Sequence, residues 1–231
     1  MVRQSRVGVT LAVATVFVAL AGCESGAEES SADVAVVQAK PLSATELEQS
    51  VVTTADLGGY EINKVVTATE ASRRTADPAE CDPVARALGG SSGFEAVARV
   101  GRMVVSKEDS ASGATVILSS HRGQDAAKVI AELRGAVEEC ESFDDVMAGF
   151  PYEDVELRDD PGYGDESVSL RLTQVVADAG DEIRVPFAVV AVRQGATVAT
   201  FYEFNRPGPD GDSTPAVVPE EIVEAQLEKL G

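Results

Sequence analysis

Pro186-Phe-Ala-Val-Val-Ala-Val192, then Arg193-Gln194-Gly195, then Ala196-Thr-Val-Ala-Thr-Phe-Tyr-Glu-Phe204 is the stretch that decides the fold. Two almost wholly apolar runs flank a short polar link that ends in glycine. That is a β-hairpin, with the glycine supplying the positive φ its turn requires. Runs this uniformly apolar belong at the centre of a sheet, where both faces are covered. Upstream, Val168, Leu170 and Leu172 alternate with Ser169, Arg171 and Thr173, the period of a half-buried strand. Tyr152, Val155 and Leu157 suggest another strand before it. Downstream, Val218-Pro219-Glu220-Glu221 opens a last helix, its early acids suiting the helix dipole and Val223, Leu227 and Leu230 facing inward.

Further upstream the best helix is Gln124–Cys140, with Ala126, Val129, Ile130, Leu133, Val137 and Cys140 recurring at three- and four-residue steps. Phe94 to Val105 reads as extended with a break near Gly101, Lys107 to Gly113 as a turn, and Thr115 to Ser119 as the returning strand. Asp82-Pro83 reads as an N-cap followed by proline at the first helical position, with Val84 and Leu88 inward and Gly89-Gly90 as the stop. Ser43 and Glu46 have capping-box spacing ahead of Leu47, Val51 and Val52. Thr54 to Gly59 is a further turn, Tyr60, Ile62 and Lys64-Val65 start a strand, and residues 68–80 read as a polar loop. Hairpins outnumber crossovers, so the expected fold is α+β: a single curved antiparallel sheet with helices packed against it.

The N-terminus is of a different kind. Arg3 and Arg6 precede the 14-residue apolar run Val7–Leu20, too short for a spanning helix of about 20 residues. This is a secretory signal, and Leu20-Ala21-Gly22-Cys23 resembles the lipobox of bacterial lipoproteins. The resemblance implies cleavage before Cys23 and a diacylglycerol on its thiol, so the membrane becomes a partner through that lipid. The expected division is a signal peptide at 1–22, an acylated cysteine with a flexible acidic tether at 23–42, and a globular domain at 43–231. Of the three cysteines, Cys81 and Cys140 then remain, each on or next to the apolar face of a helix. In an exported protein such a pair is a disulfide.

A net charge of −20 repels polyanions and excludes a nucleic-acid role. His121 is the sole histidine, and no Gly-x-Ser-x-Gly elbow accompanies it, so a Ser-His-Asp hydrolase lacks its parts. With no second histidine and both cysteines committed, no metal and no cofactor are expected. Asp210 and Asp212 with Glu221 imitate calcium-loop spacing, but Pro215 stands where the sharp turn needs glycine. The acids Asp159, Asp160, Asp165 and Glu166 read as a solvated turn; a carboxylate hydrolase is the alternative they leave open, and it needs Asp165 or Glu166 in a deep pocket. The strands around Phe187, Phe201, Tyr202 and Phe204 read as core or as the lining of an apolar pocket. A cleft is expected between the sheet and the Gln124 helix, near Tyr163, Arg171 and Tyr202. The expected function is non-catalytic binding of a small ligand or an envelope protein at the outer face of a cell membrane. A chaperone-like accessory with a large exposed apolar patch is a further alternative.

The motifs Thr-Ala-Asp-Leu-Gly-Gly-Tyr60, Cys81-Asp-Pro-Val-Ala-Arg-Ala-Leu88 and the helix end Val137-Glu-Glu-Cys140, behind a lipobox, resemble a known group. It is the secreted actinobacterial lipoproteins related to the extracellular sensor domain of PknH-type serine/threonine kinases. The resemblance spans roughly residues 43–230 and implies a sensor-like α+β domain. In the kinase domain two disulfides surround a central cleft; the cysteines here allow one.

Overall fold

The structure, a computed structural model, describes residues 39–65, 73–108, 113–178, 181–207 and 214–231. Residues 1–22, Cys23 and most of the tether lie outside the described residues, as do Asp210 and Asp212.

The hairpin is where the sequence places it. Strands β8 (Asp181–Gln194) and β9 (Thr197–Phe204) pair antiparallel with Gln194 opposite Thr197, so the two-residue turn is Gly195-Ala196, and Gly195 has φ +59°. β7 (Glu166–Asp178) pairs along the other side of β8. Adding β1 (Tyr60–Val65), β2 (Ala76–Asp77), β3 (Ala96–Ser106), β4 (Gly113–His121), β5 (Phe143–Asp145) and β6 (Phe150–Leu157) completes one antiparallel sheet of nine strands. Its order is β1-β3-β4-β9-β8-β7-β6-β5-β2, which puts β8 in the middle.

Side-chain alternation divides the sheet's residues between two cores. On one face Leu170, Leu172, Val189, Ala191 and Val198 pack against helices α2 (Asp82–Ala87) and α3 (Asp125–Glu139). On the other, Val116, Leu118, Val190, Ala199 and Phe201 pack against α1 (Ala44–Ser50) and α4 (Glu220–Leu230). The central strands are therefore apolar throughout because both their faces are roofed. Burying Phe201 completely is worth about 2–3 kcal/mol relative to leaving it in water.

The local signals hold with four adjustments. The Ser43–Glu46 capping box is complete: the Glu46 amide donates to Ser43 Oγ and the Ser43 amide to Glu46 Oε2. Asp82 is inside its helix rather than capping it; Cys81 is the N-cap, and the Asp82 carboxylate accepts from the Ala76 amide and pairs with Arg86. The expected break at Gly101 is absent, since β3 runs unbroken past it and its irregularity lies between Ala96 and Ala98. β6 carries an irregularity the sequence does not announce: its register shifts between Glu153 and Glu156, and Asp154 has φ +54°. That shift turns both Tyr152 and Val155 inward, three residues apart, and leaves Leu157 exposed. The loop expected at 68–80 ends instead in β2 and a 3-10 turn, Ala79–Cys81.

Polar links fasten α4 to the rest, among them Lys229 Nζ to Asp56 Oδ2 at 2.9 Å. Gln226 is fully buried; its Oε1 accepts from the Val52 amide at 3.0 Å and its Nε2 donates to the Ser50 carbonyl at 2.8 Å. The Tyr60 hydroxyl donates to Glu221 Oε1. Burial, followed by the Glu221 carboxylate, pushes the Tyr60 phenol up to about 12. Below pH 10 the phenol is neutral in both states and the contact is intact. Between about 10 and 12 the unfolded chain ionises first, so folding stability falls with rising pH there. Tyr60→Phe is expected to be less stable at neutral pH and to show a flatter decline between pH 10 and 12, measured by urea denaturation; an unchanged slope would show that this phenol is not a source of the alkaline loss.

Candidate ligand site

The α2–α3 layer does not reach the far end of the face it covers. Where β3, β4 and β9 run beyond it, Met103 is 47% exposed and Phe204 39%. Register explains the surface. Met103 lies opposite Thr115, and Thr115 opposite Tyr202, forming one row across three strands. In the next row Val105 lies opposite Gly113. Gly113 has no side chain, and a Cβ there would sit 2.1 Å from the Val104 carbonyl oxygen, so no other residue fits without parting the strands. Gly113 thus lets β3 and β4 approach closely, and its backbone borders the recess together with Val105 and Phe204.

The result is a half-open recess of about 430 Å³ lined by Met103, Val105, Gly113, Thr115, Tyr202, Phe204 and Arg206. That volume lies in the range of small-molecule sites, about 300–1,000 Å³, and an apolar lining with few polar groups is their usual character. Val104, Ala114 and Glu203 also border it. By alternation their side chains belong to the opposite face, so they contribute backbone. Phe204 is rigidly backed: its ring stacks on Phe187 at 5.3 Å, Phe187 meets Tyr152 edge-on at 5.9 Å, and Tyr152 stacks on Phe143 at 4.9 Å. The aromatic series runs from the buried core to the recess wall.

Of the three residues expected to form a cleft, only Tyr202 lines this recess. Arg171 alternates with the inward Leu170 and Leu172 and so lies on the opposite face. Tyr163 packs against the α1–α4 core, where burial, followed by the charges of Glu220 and Glu224, raises its phenol. The sheet itself separates Tyr202 from the other two, and the recess lies beyond α3 rather than beneath it. Of the aromatic residues read from sequence as core or lining, Phe204 and Tyr202 line and Phe201 is core.

The catalytic candidates are placed elsewhere. His121 is fully buried with Nε2 3.0 Å from Ser119 Oγ. Burial holds its imidazole below the ordinary range, assisted by the Arg99 charge, while the Glu95 carbonyl and Asp125 act the other way. It is a neutral core residue at physiological pH, out of reach of substrate. Asp165 and Glu166 sit half-exposed on the β7 entry turn, both bound by Arg193, and Asp165 also accepts from the Gly195 amide. They brace the central hairpin from a half-exposed turn, as the solvated-turn reading expects, and do not line the recess. Among the described residues no group of three or more His, Cys, Asp or Glu side chains converges as metal ligands, and no helix is long and apolar enough to cross a membrane.

No family model matches the chain, and no curated protein matches it. Among solved structures, the extracellular domain of PknH from Mycobacterium tuberculosis is similar, with a TM-score of 0.50 over 83% of this chain and 97% of that one. Identity is 10%, so the likeness is one of fold. It agrees with the fold that the sequence motifs imply.

Proposed function

We propose that this chain is a non-catalytic, extracytoplasmic sensing domain, held to a membrane through a lipid on Cys23, and that the recess is where its ligand sits. The observation that carries the reading is the recess itself, a preformed apolar site on a rigid sheet. The fold shared with an extracellular kinase domain supports it. The way the chain enters the domain supports it too. Ala39 packs beside Gly195, and the Leu42 amide donates to Ser120 Oγ at 2.7 Å. The tether thus arrives at the hairpin-turn end of the central strands. The recess lies at their other end, roughly 20 Å away by strand rise.

A second surface favours a protein partner. The turn after β5 exposes Val146 (62%) and Met147 (49%), with Phe150 beside them, an apolar tip on a tightly bonded turn. One experiment separates the readings. In a thermal-shift screen of envelope metabolites, compounds that stabilise the native chain are expected to lose their effect on Met103→Glu and keep it on Met147→Glu. Stabilisation that survives Met103→Glu would sink the recess as ligand site. Loss of a cross-linked envelope partner with Met147→Glu alone would favour the second surface.

A further inference from the structure

Resting on the reading of the recess as a ligand site, we propose that it selects an amphiphile with an apolar chain and an anionic head, a carboxylate of the fatty-acid kind, and that Arg206 is the residue that selects it. The body of the site is apolar: Met103, Val105, Tyr202 and Phe204 line it, with the Gly113 backbone beside them. Its one charged lining side chain that faces this side is Arg206.

Arg206 is held in a particular state. Its guanidinium lies over the Phe204 ring, 5.8 Å from the centroid, which positions it at the recess wall. It pairs with no carboxylate among the described residues, in a chain whose acids outnumber its bases 39 to 19. Arginines elsewhere on the surface, such as Arg184 and Arg193, each engage two or more acids. A guanidinium with no carboxylate partner among the described residues, beside an apolar cavity, offers its hydrogen-bonding fork to a ligand carboxylate.

The opposite rim fixes the ligand's direction. Tyr60 and Ile62 of β1 point into the α1–α4 core, so Glu61 and Asn63 project on the recess side, with Glu61 opposite Val105 and Asn63 opposite Met103. Asn63 Nδ2 donates to Glu61 Oε1. An anionic head is therefore drawn to the β9 side and repelled from the β1 edge, while its chain lies along the apolar lining of Met103, Val105 and Tyr202. The chain's net charge does not forbid this, since charges beyond about 8 Å are screened at physiological salt.

Both cores are built from residues 42–230, so the chain from position 23 onward with Cys23→Ser keeps the whole fold and carries no acyl group of its own. Titrate it calorimetrically with sodium laurate, dodecanol and dodecyltrimethylammonium, each below its micelle concentration. Laurate is expected to bind at least about tenfold more tightly than dodecanol, and the cationic amphiphile not to saturate. Arg206→Gln is expected to bring laurate down to the level of dodecanol, Arg206→Lys to keep part of the preference, and Met103→Glu to abolish binding of both. Equal affinity for laurate and dodecanol, or an Arg206→Gln variant that keeps the preference, overturns the anionic assignment. If dodecanol still binds in that case and Met103→Glu still abolishes it, the recess stands as a ligand site. If no amphiphile binds the native chain, or Met103→Glu changes nothing, the anionic assignment falls together with an amphiphile-binding recess.

Discussion

Asp145→Ala is expected to destabilise the domain by about 3–5 kcal/mol, the range for removing one partner of a buried ion pair. The Asp145 side chain is fully buried and every one of its acceptor directions is in use. Oδ1 accepts from the Met147 amide at 3.0 Å and the Ala148 amide at 2.8 Å. Oδ2 accepts from Arg74 Nε at 2.7 Å and also from Arg74 Nη2. Alanine would leave a guanidinium only 16% exposed without its counter-charge and two turn amides without acceptors. The effect reaches beyond the pair, because β5 is three residues long and joins the two-residue edge strand β2 to the sheet. Strands that short have little ladder of their own. Asp145→Asn, which keeps the acceptor for the two amides, should lose less. Adding Arg74→Met to Asp145→Ala should recover part of the loss, since it removes the orphaned charge. Urea denaturation measures all three; a loss below about 1 kcal/mol in Asp145→Ala would show that the turn is held by its backbone bonds alone.

Asp145 also illustrates where sequence reading stops. Its local sequence, Ser142-Phe-Asp-Asp145-Val, carries no period, and its partner is 71 residues away. What is legible is what is periodic or local. The α3 helix shows because its six apolar positions return every three or four residues, and its limits fall within one residue of Gln124 and Cys140. The Ser43 cap shows because its partner is three residues on. The β8–β9 hairpin shows as a hairpin but not in its register: a link at Arg193-Gln194-Gly195 would set Val192 against Ala196, whereas the two-residue turn Gly195-Ala196 sets Val192 against Ala199 and Phe204 against Phe187. The site is legible only in part for the same reason. Alternation says which residues of one strand share a face, but relating Tyr202 to Arg171 or Tyr163 needs the register between strands and the extent of each helical roof. The recess depends on Thr115 meeting Tyr202, a pairing between strands 87 positions apart in the chain that no turn announces. Its glycine, Gly113, reads in sequence as the end of a loop and in the sheet as the point where β3 and β4 come too close for any side chain. Likewise Gln226 sits among helical residues with nothing to mark it as the clamp between α4 and α1.

Reduction of the Cys81–Cys140 disulfide is expected to remove about 4 kcal/mol of stability, roughly a quarter or more of the 5–15 kcal/mol typical of a domain. The bridge closes a separation of 59 residues, and in the chain-entropy model that length sets the value. The two cysteines occupy corresponding places. Cys81 caps the start of α2 and Cys140 caps the end of α3, so the bond ties the two helices of one layer together where neither has a polar side-chain cap. Both are buried in the same core as Val84, Leu133 and Phe143. Reduction and substitution therefore differ in what they test. Reducing the native chain leaves both sulfurs packed and removes the closure alone. Cys81→Ala with Cys140→Ala removes the closure and two buried sulfurs, so it should lose more by about 1–2 kcal/mol and should be indifferent to reductant. Comparing urea midpoints of the native chain with and without reductant, and of the double variant, separates the two contributions. A native chain whose midpoint does not move on reduction would show that α2 is held by its packing on α3. If reduction and double substitution lose the same amount, the sulfurs contribute through the bond alone, and the α2–α3 layer depends on closure rather than on their packing.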